Sequence, residues 1–298
     1  MAFWKKTYDL GDVREYEYTF MGNYGAKGEK RAPRVKASPE QMARQNHMNK
    51  VKKVRRLILL NFRPWDLWLT MKYPRGTRKT SKEVLADIQD WTKKLARRYR
   101  QAAEELRWIR RIEIGRYGGI HVHILINRPR TIKDIDLVCK ELWGRAGINF
   151  QSLRAEGGYE QLAAYLCKRG SGDNETEGQL SFLPEEDRKR CLSYSTSRNL
   201  IHPEDVCTKK KYSHWTMRKA ILEGPRPRPG FYIDKGSIRM GVNQFTGKSY
   251  LCYSEVRIHG RWGQTAEDAD VENVDKCPRI SKTLTSGKRK EGVTECRR

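Results

Sequence analysis

The sequence lacks three features that would assign it to whole classes of protein. Its seven cysteines include no C-x-x-C pair, so we expect neither a disulfide framework nor a zinc ribbon. No window approaches the ~20 apolar residues of a membrane span. The first residues also lack the apolar core of a signal peptide. We therefore expect a protein of the reducing cytoplasm, without a membrane segment.

Acidic residues are scarce relative to basic ones. The 36 Asp and Glu face 61 Lys and Arg, which gives a net charge of +25 over 298 residues. An excess of this size indicates a polyanionic partner. Eight tryptophans and fourteen tyrosines offer surfaces on which unpaired bases can stack. Charge alone does not separate a DNA-binding protein from an RNA-binding one, or from a basic, well-solvated protein.

The most informative stretch covers residues 108–127 and reads as two strands around a Gly-Gly turn. Side chains alternate between the two faces of a strand, so His121 and His123 share one face. If the two strands pair antiparallel, Glu113 lies beside both histidines. Two imidazoles and a carboxylate with open positions are typical of a catalytic metal site rather than a closed structural one.

Neither the third ligand nor the metal follows from this pattern alone. Strand register decides whether Glu113 reaches the histidines, or whether Glu105 or Asp136 does. The ligands would suit zinc or iron as well, but a phosphate target and open positions favour Mg²⁺ or Mn²⁺. We expect ordinary hydrogen-bonded rings at the other four histidines, which are His47, His202, His214 and His259.

A helix-like segment follows at residues 158–168. Its apolar stripe consists of Tyr159, Leu162, Ala163 and Leu166. This stripe leaves Tyr165 free to face a groove, with Lys168 at i+3 on the same side of the helix. Tyr159 lies about 240° away from Tyr165 around the helix, so the two do not form a nucleophile pair. A free phenol is a poor nucleophile at neutral pH, and Lys168 can stabilise developing negative charge.

Three motifs in this order resemble the HUH endonuclease superfamily. Within it they are similar to the single-tyrosine rolling-circle replication initiator (Rep) proteins of plasmids and single-stranded DNA phages. The motifs are Trp68-Leu69-Thr70-Met71-Lys72-Tyr73, His121-Val122-His123 and Tyr165-Leu166-Cys167-Lys168. Each motif alone is weak, and their order, spacing and context give the signal its strength. The resemblance covers roughly residues 55–205.

The resemblance implies a metal-dependent enzyme that nicks and rejoins single-stranded or hairpin origin DNA through a covalent 5′-phosphotyrosine. Tyr165 would be the nucleophile and Lys168 its helper, with Mg²⁺ or Mn²⁺ held by Glu113, His121 and His123. It also implies a host DNA polymerase and helicase as partners, at plasmid or phage DNA in the cytoplasm of a prokaryotic cell. The sequence predicts no oligomeric state.

Two other functions compete with this one. A relaxase of the same superfamily typically has a third histidine and an N-terminal tyrosine, which this chain lacks, and the related transposases are usually much shorter. A non-catalytic binder of single-stranded nucleic acid, with an RRM-like sheet, would not need the histidine pair.

The order β-α-β-β-α-β-α predicts an α+β fold with an antiparallel, ferredoxin-like (RRM-like, split βαβ) sheet. The resemblance places the helices on one face and the active site on the other. We expect helices at about residues 39–53, 81–104 and 132–143, and a solvated acidic loop at 170–187. The expected domains are a basic N-terminal arm and helix at 1–54, the endonuclease domain at 55–212, a small accessory region at 213–262 and a disordered polar tail at 263–298.

Basic residues are concentrated between residues 27 and 56, where eleven Lys and Arg face two acids. We predict a basic helix that contacts DNA phosphates, with a solvated face as the alternative. The candidates for nucleic-acid binding are Thr70, Lys72, Lys50, Lys52, Lys53, Arg55 and Arg198. Residues 241–249 resemble a phosphate-binding P-loop, but Val242 stands where the motif requires glycine. We therefore expect a turn there, and no ATPase or fused helicase.

Overall fold

The computed structural model describes residues 3–21, 32–74, 76–77, 79–114, 120–153, 156–168 and 193–258. By its contacts the chain divides into residues 1–257 and residues 258–298, and everything below concerns the first of these units. The acidic loop predicted at 170–187 and the polar tail predicted at 263–298 lie outside the described residues. No helix in the described part is long and apolar enough to cross a membrane.

Ten strands and five α-helices fall within these ranges. The strands are β1 (Phe3–Asp9), β2 (Val13–Phe20), β3 (Leu67–Lys72), β4 (Trp108–Ile114), β5 (Ile120–Ile126), β6 (Ile148–Ser152), β7 (Tyr194–Thr196), β8 (Cys207–Tyr212), β9 (Phe231–Asn243) and β10 (Lys248–Arg257). The helices are α1 (Pro39–Asn61), α2 (Ser81–Gln101), α3 (Ile135–Trp143), α4 (Glu160–Cys167) and α5 (His214–Glu223), and a 3₁₀ turn covers Glu156–Tyr159.

The central sheet has the strand order β6-β3-β5-β4-β7, and all its neighbours are antiparallel. The run β3-α2-β4-β5-α3-β6 gives the split βαβ arrangement, so the predicted α+β, ferredoxin-like class is confirmed. Both crossover helices lie on one face, because every second residue of β3 and β5 is apolar there and meets the apolar stripes of α2 and α3. The largest buried side chains in this layer are Trp91, Tyr99 and Trp143.

The opposite face of the central sheet is also partly covered by helices. Helices α1 and α4 cover part of it, in a second core that includes Leu57, Ile58, Leu125 and Leu166. This core forms because α1 and α4 carry apolar stripes of their own, which must be removed from water. The prediction of helices on one face therefore applies to the crossover helices only.

Three predicted helix ends are corrected by the structure, and one of them is the end of α2, which lies at Gln101 rather than at residue 104. The basic helix continues from residue 53 to Asn61, because Val54, Leu57 and Ile58 in its last two turns pack in the second core. The helix expected from residue 132 begins at Ile135. Thr131 does not cap it, because its hydroxyl donates instead to Glu104 Oε1 at 2.6 Å.

The N-terminal sheet has the strand order β8-β1-β2-β10-β9. One face packs on Met217 of α5 through a cluster of aromatic side chains. On the other face, Glu15 and Glu17 meet arginines of α1. The boundary predicted at residue 54 thus falls inside α1, and strands from the predicted arm and accessory region share one sheet. The P-loop-like residues form the end of β9, a turn and the start of β10, as expected.

Candidate active site

The register of the central sheet brings three predicted ligands to one place. Glu113 lies directly opposite His121 in the β4–β5 pair. The register thereby selects Glu113 over the other two carboxylates that the sequence left open. Glu105 instead accepts a hydrogen bond from Asn199, and Asp136 lies 3.7 Å from an arginine elsewhere.

The ligand atoms of this cluster lie close together on a partly open surface. Nε2 of His123 is 3.1 Å from Oε2 of Glu113, and Nε2 of His121 is 3.8 Å from the same oxygen. One donor atom from each of the three residues lies within 4.8 Å of the others. His123 is nearly buried, whereas the side chains of Glu113 and His121 are about one quarter exposed. The cluster can therefore hold one cation and leave positions open toward solvent.

Neighbouring strands fix the orientation of the His123 ring. Thr70, opposite His123 in the β3–β5 pair, places its hydroxyl 3.1 Å from Nδ1. The indole of Trp68 stacks on the same ring, with centroids 5.5 Å apart and planes inclined by 10°. A partner on Nδ1 directs Nε2 toward the ligand position. Contact between Thr70 and nucleic acid stays a prediction; in the structure its hydroxyl lies beside the His123 ring.

Tyr165 reaches the cluster from helix α4. Its hydroxyl donates to Oε2 of Glu113 at 2.5 Å and lies 2.7 Å from Nε2 of His123. The end of α4 is held on the sheet by Arg111, whose Nη1 donates to the carbonyls of Tyr165 and Leu166 at 3.1 and 3.0 Å. A cation at a helix C-terminus is favourable because the last carbonyls carry partial negative charge. Sequence reasoning missed Arg111, although it shares a strand face with Glu113.

The electrostatics of the cluster keep its carboxylate charged and its phenol neutral. Burial raises the pKa of Glu113, but the hydrogen bonds from His123 and Tyr165 and the charges of the histidines outweigh it and lower the pKa to about 2. Burial first, and then the bond to Glu113, raise the pKa of the Tyr165 hydroxyl above its usual range. A nucleophilic role for Tyr165 therefore requires that its proton be taken up as the new bond forms.

The two other residues of the Tyr165 segment occupy different surroundings. Tyr159 is buried in the second core, as predicted, although it belongs to the turn before α4 rather than to the helix. Lys168 is the C-cap of α4, where the backbone has left the helical conformation (φ −46°, ψ 125°). Its side chain is exposed. The helical spacing used to place Lys168 beside Tyr165 is therefore corrected, because the helix ends at Cys167.

Three of the predicted nucleic-acid contacts remain on accessible surface. Lys72 is exposed and lies opposite His121 in the sheet, on the face of the cluster. The ammonium of Lys50 lies 5.3 Å from the ring centroid of Tyr194 on β7, an edge strand of the same sheet. Arg198 is exposed just after that strand.

The other three predicted contacts form ion pairs within the protein. Lys52 pairs with Glu17, Lys53 with Glu204 at 3.2 Å, and Arg55 with Glu15. These cations hold α1 in place, which is a structural role that the sequence had not indicated. Contact with DNA by these residues stays a prediction.

One comparison with known proteins, a scan of family models, found a match. A ferredoxin-like sheet with two histidines, a carboxylate and a tyrosine close together is the arrangement that the resemblance to rolling-circle Rep proteins implied. Residues 66–170 match a family model described as replication-associated protein ORF2. The matched range runs from β3 through α4, so it contains the three motifs and confirms the resemblance to rolling-circle Rep proteins. No curated protein and no solved structure matches the chain. The family match supports a role in DNA replication and an interaction with DNA.

Proposed function

We propose that the protein initiates rolling-circle replication by nicking and later rejoining single-stranded or hairpin origin DNA at Tyr165. One observation carries the proposal: the Tyr165 hydroxyl lies within hydrogen-bond distance of both Glu113 and His123. A binder without catalytic activity has no need to bring a phenol to a two-histidine, one-carboxylate cluster.

The cluster suits a divalent cation. Two imidazole nitrogens and one carboxylate oxygen are ordinary ligands, and the low pKa of Glu113 keeps its oxygens available at neutral pH. We propose Mg²⁺ or Mn²⁺ as the cation. Bound there, such a cation would polarise the scissile phosphodiester.

The chemistry of the protein's own groups is a transesterification. As the Tyr165 oxygen bonds to phosphorus, the bond from phosphorus to the 3′ oxygen breaks. The downstream strand stays on the enzyme as a 5′-phosphotyrosine, and the upstream strand leaves with a 3′-OH after taking up a proton. The phenol gives up its proton as its oxygen bonds to phosphorus, and the departing 3′ oxygen takes up one proton, so that no net proton is gained or lost. The reverse reaction rejoins the strand.

Exposed cations around the cluster suit a phosphate backbone. Lys72 lies on the face of the cluster, and Lys168 follows the nucleophile at the exposed end of α4. We propose that Lys168 stabilises negative charge on the phosphate in the transition state, while Lys72 and Lys50 position the strand. Contacts of this kind supply much of the affinity for a single strand, whatever its sequence.

The test does not require a known origin. The full-length protein is mixed with a labelled pool of single-stranded oligonucleotides of random sequence, with Mn²⁺ or with EDTA, and run on a denaturing gel. A labelled band at the mass of protein plus DNA is expected with Mn²⁺ only. An equal band with EDTA, or retention of DNA on a native gel without any covalent band, would contradict the proposal.

A further inference from the structure

A second polar site lies on the face of the central sheet opposite Tyr165. A cavity of about 480 Å³ opens between α2 and β4, with Trp108 and Arg110 on the strand side. Because side chains alternate along β4, Arg110 faces this cavity, whereas Arg111 faces the Tyr165 cluster. The volume falls within the range of small-ligand sites, roughly 300–1,000 Å³.

Arg110 is buried beside this cavity without a counter-charge. Only 7% of the residue is exposed, and its guanidinium lies 4.6 Å from the Trp108 ring centroid. Burial lowers the pKa of Arg110, and no carboxylate in the described part of the chain offsets this effect. A buried arginine without an anion is unfavourable, because the charge has lost water and gained no ion pair. Arg56, equally buried, instead meets two glutamates.

The helix side of the cavity adds more positive charge. Gln89, Lys93 and Arg100 are exposed along one stripe of α2 and line the cavity. No acidic residue is among its lining residues. Three cations thus surround a space with an aromatic ring and an amide at its edge. An arginine fork matches the oxygens of a phosphate group better than it matches most other anions.

We propose that this cavity binds a phosphate group of a nucleotide, with Arg110 as its main contact and Lys93 and Arg100 at its mouth. The phosphate comes either from a free nucleoside triphosphate or from the backbone of a bound DNA strand. The site is separate from the proposed nicking centre, because it uses neither Tyr165 nor the residues of the cluster. The two proposals can therefore fail independently.

The experiment measures binding of two probes to the full-length protein by calorimetry. One probe is dATP and the other is a short single-stranded oligonucleotide. Arg110→Met removes the buried charge and keeps a long side chain, so the variant should fold at least as stably as the wild type. Arg100→Gln changes an exposed residue and tests the same cavity without altering the core. Arg98→Gln, on the same helix but outside the cavity, is the matched control.

Each probe identifies one source of the phosphate. If the source is a free nucleotide, dATP binds the wild type, and Arg110→Met and Arg100→Gln weaken it about tenfold or more. If the source is DNA, only the oligonucleotide binds, and each variant lowers the slope of log affinity against log salt by about 0.7. Arg98→Gln and Tyr165→Phe should leave dATP binding unchanged.

The proposal is wrong if dATP does not bind and both cavity variants match Arg98→Gln in oligonucleotide affinity and salt slope. It is equally wrong if dATP binds both cavity variants as tightly as it binds the wild type.

Discussion

Two carboxylates, one in each sheet, have opposite surroundings. In the N-terminal sheet, Glu15 is 4% exposed and is neutralised by Arg55 and Arg56. In the central sheet, Glu113 meets two imidazoles and a phenol. The first set consists of full charges of opposite sign, which satisfy one another. The second consists of groups that also bind cations or move protons, and it opens toward solvent. The first arrangement holds the fold, and the second is suited to chemistry.

Arg55 connects the two regions. It pairs with Glu15 of β2 and also donates to the carbonyl of Gly158 at 2.8 Å, in the turn before α4. Gly158 has a positive φ of 57°, and a Cβ at that position would lie 2.9 Å from Nη2 of Arg55. The positive φ favours glycine at this position, and any larger residue would displace the end of the Arg55 side chain. Through this contact, the ion pairs of the N-terminal sheet help to position the helix that carries Tyr165.

The largest effect is expected from a substitution in the cluster around Glu113. His123→Ala removes a donor nitrogen and the partner of the Tyr165 hydroxyl, so we expect covalent adduct formation to fall by at least about a hundredfold. DNA binding should be nearly unchanged, since phosphate contacts dominate affinity. Adduct yield on denaturing gels and affinity by filter binding measure the two effects. His202→Ala is the control, and an equal loss of DNA binding in His123→Ala would indicate a structural role instead.

A second substitution breaks the ion pairs that Glu15 and Glu17 form with α1. Arg56→Met leaves Glu15 and Glu17 without one of their cations, and removing one partner of a buried pair costs about 3–5 kcal/mol. Urea unfolding at pH 7 measures this loss. Adduct formation by the fraction that remains folded should stay close to that of the wild type. A variant with unchanged stability would show that the buried pairs do not hold the fold.

The ion pairs of Glu17 also predict how the stability of the protein depends on pH. Burial raises the pKa of Glu17, but Lys52 and Arg56 outweigh burial and lower it below its usual range. A lowered folded-state pKa stabilises the protein above the ordinary glutamate pKa, and this stabilisation is lost as pH falls through the lowered value. Unfolding free energies at a series of pH values should therefore decrease on acidification. The decrease should be smaller in Glu17→Gln, and an equal decrease in both proteins would contradict this assignment.

A smaller effect is expected from a substitution of Thr70, which lies beside His123 and has no proposed part in the reaction. Thr70→Val keeps the shape of the side chain and removes the hydroxyl beside Nδ1 of His123. We expect Mn²⁺ affinity to fall about 10- to 100-fold, with most adduct formation regained at saturating Mn²⁺. Thr70→Ser should restore the affinity. Equal Mn²⁺ affinity in the valine variant would show that Thr70 does not orient the ring.

The parts of the site that follow local patterns were predictable from the sequence. Strand alternation places the two histidines on one face, and the pairing of neighbouring strands sets Glu113 opposite them. One helical segment leaves Tyr165 facing away from the apolar stripe. The N-terminal sheet was not predictable, because β2 pairs with β10, more than 200 residues later in the chain, and no local pattern reports such a pairing. For the same reason the sequence predicts a basic, accessible helix where the structure places Lys52, Lys53 and Arg55 in ion pairs. The burial of Arg110 and Arg111 was not predictable either, since it depends on packing between elements.

The most direct test of the central claim is to map the residue that carries the DNA. Wild-type protein, Tyr165→Phe and Tyr159→Phe are incubated with single-stranded DNA and Mn²⁺, and the trapped complexes are digested and analysed by mass spectrometry. The account predicts a 5′-phosphotyrosine on Tyr165 in the wild type and in Tyr159→Phe. It predicts no adduct in Tyr165→Phe, with DNA binding retained. An adduct on Tyr159 or Tyr194, or one that persists in Tyr165→Phe, would contradict it.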